Sequence, residues 1–136
     1  MGKIVALDIG DTWTGVALSD PLKIIASPYT TYKTENLTTH ISELQEEEDI
    51  ERIVIGYPKT LRGTESEQTQ RTQKIAAQLQ ETFSHIPFTT WDERFSSKRA
   101  EILTTKKSNR KGEKRFSHAR AAAFILDTYL KAHHTL

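Results

Sequence analysis

The chain has 136 residues, 36% of them hydrophobic and 27% charged, with a formal net charge of +1 and no cysteine. That is the size of one ordinary domain with a single core, and it excludes a disulfide framework or a thiolate metal site. No apolar stretch approaches the ~18 residues of a membrane span. The N-terminus runs into Lys3 and a strand without an apolar leader, so a cytoplasmic location and no membrane partner are expected.

Lys3-Ile4-Val5-Ala6-Leu7 is a short apolar run of strand rather than helix length. It stops at Asp8, and Gly10-Asp11-Thr12 are turn formers. Gly15-Val16-Ala17-Leu18 leads away, giving a hairpin at the centre of a sheet with Asp8 at the carboxyl end of its first strand. A doubly buried strand does not end in a carboxylate for packing reasons, and an uncompensated charge there is costly. Asp8 is therefore paired, capping a turn, or holding a cation.

Ile24 to Tyr32 reads as a third strand, with Pro28 implying an edge position or a bulge. From Asn36 to Asp49, Leu37, Ile41 and Leu44 recur at helical spacing, with Thr34 as a candidate N-cap. Arg52 to Gly56 is a buried strand, and Tyr57 to Thr64 a loop punctuated by Pro58 and Gly63. Glu65 to Phe83 is an amphipathic helix carrying Ile75, Ala76, Leu79 and Phe83. Pro87 to Trp91 is a fifth strand ending in Asp92-Glu93-Arg94, and Ser96 or Ser97 can cap a helix through Ala100 and Leu103. Lys106 to Lys114 has no apolar residue and reads as a loop, and Ala119 to Leu130 as a closing helix.

Three strands joined by short turns are antiparallel, and strands separated by helices are most simply parallel through right-handed crossovers. The expected fold is α/β: a mixed five-stranded sheet flanked by helices, in one domain spanning residues 1–136. Sites in such sheets form beyond the carboxyl ends of the parallel strands. Asp8, the Gly56-Tyr57-Pro58 turn and Asp92-Glu93 converge there. Paired carboxylates without cysteine favour a hard cation, Mg²⁺ or Mn²⁺.

The small net charge conceals a strong asymmetry. Glu35 to Glu51 holds seven acids and no Lys or Arg, whereas Arg94 to Arg120 holds ten bases against Glu101 and Glu113. The basic segment points to a nucleic-acid partner, and metal-activated water attacking a phosphodiester is the economical chemistry.

Asp8-Ile9-Gly10, Gly15-Val16-Ala17 and Ser19-Asp20 resemble the opening of the YqgF/RuvX family. Gly56-Tyr57-Pro58 with Gly63-Thr64-Glu65, Asp92-Glu93-Arg94-Phe95-Ser96-Ser97 with Ala100-Glu101, and Ala121 to Leu126 with Tyr129-Leu130 resemble its later motifs, in order along nearly the whole chain. The resemblance implies an RNase H-like fold. It also implies a metal-dependent nuclease processing the 5′ end of pre-16S rRNA in ribosome biogenesis, or acting on Holliday junction DNA. Structured RNA or branched DNA is then the partner, and junction cleavage, which takes two coordinated cuts, would favour a homodimer.

By the same resemblance Asp8 is the strand-one metal ligand and Glu93 the second acid. Successive strand residues point oppositely, so only one of Asp92 and Glu93 should face Asp8. Arg94 either holds a phosphate or pairs with a carboxylate. Lys59, Arg62, Lys98, Arg99 and Arg120 are candidate nucleic-acid contacts. The family usually carries an aspartate seven residues before the Ile-Leu pair of its last helix, and the residue at that distance from Ile125 is His118. Imidazole is a poorer Mg²⁺ ligand than carboxylate but can act as a general base. His118 either takes the third active-site position or is a helix-start histidine without a role. The family also tends to carry bases where this chain has Thr12-Trp13, and Trp13 either stacks on a base or packs. Two alternatives stand beside the nuclease. One is a nucleic-acid-binding protein of the same fold without the chemistry. The other is an ATPase-like phosphate-binding lobe, suggested by Asp8-Ile9-Gly10-Asp11-Thr12.

Overall fold

The computed structural model describes residues 2–57, 67–92 and 111–133, with the side chains of Gln68, Asp92 and residues 111–116 outside the description. Strands β1 (Lys3–Ile9), β2 (Trp13–Ser19) and β3 (Ala26–Lys33) are followed by a 3-10 turn (Thr34–Asn36) and helix α1 (Leu37–Glu47). Strand β4 (Ile50–Tyr57), helix α2 (Glu67–Thr82), strand β5 (Phe88–Asp92) and helix α3 (Lys111–His133) complete the described elements. The sheet order is β3-β2-β1-β4-β5. β1 and β3 both pair antiparallel with β2, while β4 runs parallel to β1 and to β5, as expected.

β1 is apolar along its length because both of its faces are covered, and strand alternation divides its side chains between two cores. Val5, Leu7 and Ile9 join Leu37, Ile41 and Leu44 of α1 and Ala76 and Leu79 of α2 on one face. Ile4 and Ala6 join Ala17, Val54 and the α3 stripe Ala122, Ile125, Leu126, Tyr129 and Leu130 on the other. By the same alternation Asp8 falls on the α3 face, in line with Ile4 and Ala6. The ends of β1, β4 and β5 lie side by side, Leu7 pairing with Ile55 and Tyr57 with Asp92.

Several boundaries differ from expectation, each for a local reason. The third strand starts at Ala26 rather than Ile24. The Ile24 and Ile25 amides donate to Asp20 Oδ1 at 2.7 and 2.8 Å, which takes them out of the ladder. Pro28 lies in edge strand β3, and the register slips beside it: Val16 pairs with Thr30 and Ala17 with Pro28, leaving Tyr29 as the bulged residue. Thr34 does not cap α1: Asn36 precedes that helix, without a side-chain capping bond. Tyr57 is the last residue of β4 rather than loop, and β5 starts at Phe88 because Pro87, lacking an N–H, contributes only its carbonyl, to Ile53 N at 3.0 Å.

α3 begins at Lys111, so residues 111–114 are helix and not the expected loop. The absence of apolar residues there was a poor guide. Lys111, Glu113 and Lys114 are strong helix formers that offset Gly112, and a helix anchored by its buried end needs no apolar face in every turn. The helix expected after Ser96 or Ser97 and the loop over Pro58 to Thr64 lie outside the described residues.

Candidate active site

The β1–β2 connection presents Asp8, and it is clamped from one side. Gly10 N donates to Trp13 O at 3.0 Å and closes the turn; a Cβ on Gly10 would sit 2.6 Å from that same oxygen, so glycine is required. Thr34 N donates to Thr12 O at 2.9 Å, and Thr34 Oγ1 donates to Gly10 O at 2.7 Å. Thr34 Oγ1 also lies 2.9 Å from the hydroxyl of buried Thr14. A hydroxyl has one proton. With Thr34 giving its own to Gly10, Thr14 is the donor of the pair. The residue expected to start a helix therefore braces the turn behind Asp8.

The imidazole reaches Asp8 because α3 comes unusually close to β2. Gly15 pairs with Asp8, and Ala17 with Ala6, making a floor of small residues on this face. A Cβ at Gly15 would overlap the backbone of His118 and lie 2.7 Å from Ala119 N. Glycine at this position is what lets the helix settle. Counting along the helix, His118 precedes Ala122, Ile125 and Tyr129 by four, seven and eleven residues, the same buried stripe. It therefore had to face the sheet. His118 Nδ1 stands 3.9 Å from Asp8 Oδ2, with side-chain exposures of 37% and 17%. That separation is past direct hydrogen bonding and leaves room for a shared third atom.

Trp13 lies two residues from Gly15 on β2 and so on the Asp8 face, half-buried, with Lys33 Nζ of β3 5.9 Å from its ring centroid. Arg120, also half-buried and partnered, is two residues past His118 and so turned away from that side of the helix. Tyr57 sits where β4 ends, and burial raises its phenol pKa above the ordinary value. Asp92 closes β5 beside Tyr57, with its side chain outside the description. Glu93, Arg94, Lys59, Arg62, Lys98 and Arg99 all lie outside the described residues. Among the described residues no three or more His, Cys, Asp or Glu side chains group as a metal site. The structure thus brings Asp8, His118 and Trp13 to one face.

Two participants were not singled out from the sequence. Gly15 was visible only as part of a motif, and nothing local marks it as the seat of a helix 103 residues away. Arg71 of α2 reaches Asp11 on the β1–β2 turn, Nε to Oδ1 at 2.9 Å and Nη2 to Oδ2 at 3.1 Å. Its position on the polar side of an amphipathic helix gave no signal.

The charge asymmetry has a spatial counterpart. Lys3 N donates to Asp49 O at 2.7 Å, and Lys3 Nζ pairs with Glu48 Oε2 at 2.8 Å. The acid-rich end of α1 therefore lies at the amino end of β1, the length of the strand away from Asp8.

Comparison with known proteins agrees with this architecture. The RuvX family model, described as Holliday junction resolvase, matches residues 2–132. A protein of Chlorobaculum tepidum described as "Putative pre-16S rRNA nuclease" is 38% identical over 134 residues, covering 96% of this chain and 94% of its own. One of Rubrobacter xylanophilus with the same description is 35% identical over 130 residues, covering 96% and 93%. Among solved structures, Thermus thermophilus RuvC in complex with a Holliday junction superposes with a TM-score of 0.61 at 13% identity, covering 97% of this chain and 95% of that one. Fowlpox virus resolvase superposes with a TM-score of 0.62 at 10% identity, covering 98% and 99%. At such low identity these two show the fold alone, which is the RNase H-like architecture of resolvases. The chain belongs to the RuvX family of nucleases.

Proposed function

We propose that this protein is a metal-dependent nuclease that hydrolyses phosphodiester bonds, with the whole chain as one nuclease domain and Asp8 at its centre. The observation that carries this is the Asp8 carboxylate at the end of β1, on a residue paired with Gly15 of β2, with the His118 imidazole held 3.9 Å away by a helix seated on that glycine. Structured RNA is the preferred substrate, because the curated relatives carry the description "Putative pre-16S rRNA nuclease"; action at the 5′ end is what the motif resemblance implies. A cytoplasmic setting goes with it. Holliday junction DNA is the second reading, favoured by the description of the family model, and would call for a homodimer.

The donor set suits a hard divalent cation only in part. Asp8 supplies carboxylate oxygen, the chemistry Mg²⁺ or Mn²⁺ prefers, but its neighbour among the described residues is a nitrogen donor. Glu93 is proposed as the second carboxylate ligand, with Asp92 in reserve. The cation, when bound, would lower the pKa of water and stabilise charge on the leaving oxygen. The role assigned to His118 is to accept a proton from the attacking water, which its 3.9 Å separation from Asp8 supports. Trp13, beside Lys33, offers an aromatic face to a base. Arg94, Arg62, Lys59, Lys98, Arg99 and Arg120 are proposed phosphate contacts.

The test is cleavage of a structured RNA bearing a 5′ extension, and of a four-way DNA junction, in Mg²⁺ and in Mn²⁺. Wild type is expected to cleave the RNA, with Asp8→Asn and Glu93→Gln inactive and His118→Ala slowed about 10²-fold or more. Binding without cleavage by the wild type would make it a nucleic-acid-binding protein instead.

A further inference from the structure

On the sheet face opposite His118, a cleft of about 260 Å³ opens beside the same turn, lined by Ile9, Gly10, Asp11, Arg71, Thr72 and Ile75. Its rim is the Asp11–Arg71 pair, which joins the loop right after Asp8 to α2 through two parallel bonds of 2.9 and 3.1 Å. Both side chains are largely in water, 63% exposed for Asp11 and 52% for Arg71, so the pair adds little to stability. What it does fix is direction. A guanidinium has five N–H donors in a rigid plane, and Asp11 occupies one on Nε and one on Nη2. That leaves three donors that Asp11 does not take, on the side away from the carboxylate.

We infer that Arg71, oriented by Asp11, is a phosphate contact for the nucleic-acid strand that passes Asp8. The inference rests on the nuclease function proposed above and adds a residue to it. Asp11 follows Asp8 by three positions at the same edge of the sheet, and the rim lies on the other face, so a strand that crosses this edge from Asp8 meets the rim. Two-pronged recognition of phosphate is guanidinium chemistry, which lysine does not reproduce. Asp11 is a positioning residue here, since it acts only through Arg71.

The competing explanation is that Arg71 merely neutralises Asp11, and a double variant separates the two. Affinity of the full-length protein is measured for a structured RNA and for a four-way DNA junction in EDTA, between 50 and 200 mM salt. Arg71→Ala is expected to weaken binding and to lower the magnitude of the log–log salt slope by about 0.9, one phosphate contact. Arg71→Lys is expected to restore the slope but not the affinity. Asp11→Asn/Arg71→Ala is expected to stay about 3-fold or more weaker than wild type at the low-salt end, with the lowered slope. If the double variant regains wild-type affinity and slope, Arg71 is only a counter-charge and the contact is refuted. If the wild type binds neither ligand, with Ca²⁺ in place of EDTA as well, the nuclease function itself falls, whatever the variants do.

Discussion

Replacing Gly15 by alanine is a single added methyl whose consequences run from packing to chemistry. The new Cβ would overlap the His118 carbonyl and stand 2.7 Å from Ala119 N, where ordinary contact begins at 3.4 Å. Both neighbours are backbone, so no rotamer change relieves the clash. The amino-terminal part of α3 must move off the sheet by well over half an ångström. Overpacking of this kind costs about 1–3 kcal/mol, and for a chain of this size each kcal/mol lowers Tm by roughly 3–5 °C. The helix stays anchored through Ile125, Leu126 and Leu130, so the fold survives and His118 is carried away from Asp8 beyond 3.9 Å. A displacement near 1 Å can cost about 10²-fold in rate. Thermal unfolding followed by circular dichroism and cleavage of the structured RNA read the two effects separately. The expected result is a Tm lower by about 3–15 °C together with a cleavage rate reduced about 10²-fold in protein still folded at the assay temperature. Unchanged Tm and unchanged cleavage would refute the claim that Gly15 seats the histidine.

Thr34→Val removes the hydroxyl that bonds Gly10 O and Thr14, leaving the buried Thr14 hydroxyl without its acceptor and half-buried Gly10 O without its donor. Urea unfolding should show a loss of about 1–3 kcal/mol, with a further fall in cleavage as the turn behind Asp8 loosens. Asp20 accepts first from Ile25 N and also from Ile24 N, which holds its carboxyl below the ordinary value. A depressed folded pKa contributes stability that is complete above the unfolded value, about pH 4, and is lost as pH falls through the folded one. Amide exchange at Ile24 and Ile25 should therefore accelerate on acidification, relative to Asp20→Asn, only below about pH 4. Burial, then the neighbouring Tyr29, Glu47 and Glu43, push the Tyr32 phenol up to about 12. Its ring stacks on His40 with centroids 4.3 Å apart. Because the folded pKa is the higher, the stability it contributes is complete below about pH 10 and is lost as pH rises from there. Spectrophotometric titration of the native protein should show a tyrosine ionising at about pH 12, a step absent in Tyr32→Phe.

What could be read from the sequence was what strand and helix periodicity impose directly. The unbroken apolar run of β1 required two covered faces, Pro28 required an edge or a bulge, and the helices between β1, β4 and β5 required parallel strands. These held because each rests on a local pattern that tertiary packing had no reason to override. Residues 111–114 and the Pro87 boundary failed on propensity and backbone chemistry, and the other failures turn on a side chain whose partner lay outside the pattern being read. Thr34 has the chemistry of a helix cap and was taken as one, but the oxygen it serves is on Gly10, 24 residues away. Asp20 removed Ile24 and Ile25 from a strand their branched side chains favour. Gly15 and Arg71 carry no local signature, since the helix that one admits and the aspartate that the other grips come from elsewhere in the chain. His118 was found only by its place in a family pattern. The stripe from His118 through Ala122, Ile125 and Tyr129 would have indicated the same inward direction on physical grounds.

The most direct test is the fate of nucleic acid when Asp8 alone is changed. In Mg²⁺ or Mn²⁺, wild type should cleave a structured RNA with a 5′ extension, while Asp8→Asn binds it with equal or higher affinity and leaves it intact. Cleavage by Asp8→Asn at the wild-type rate would contradict an active site built on the end of β1.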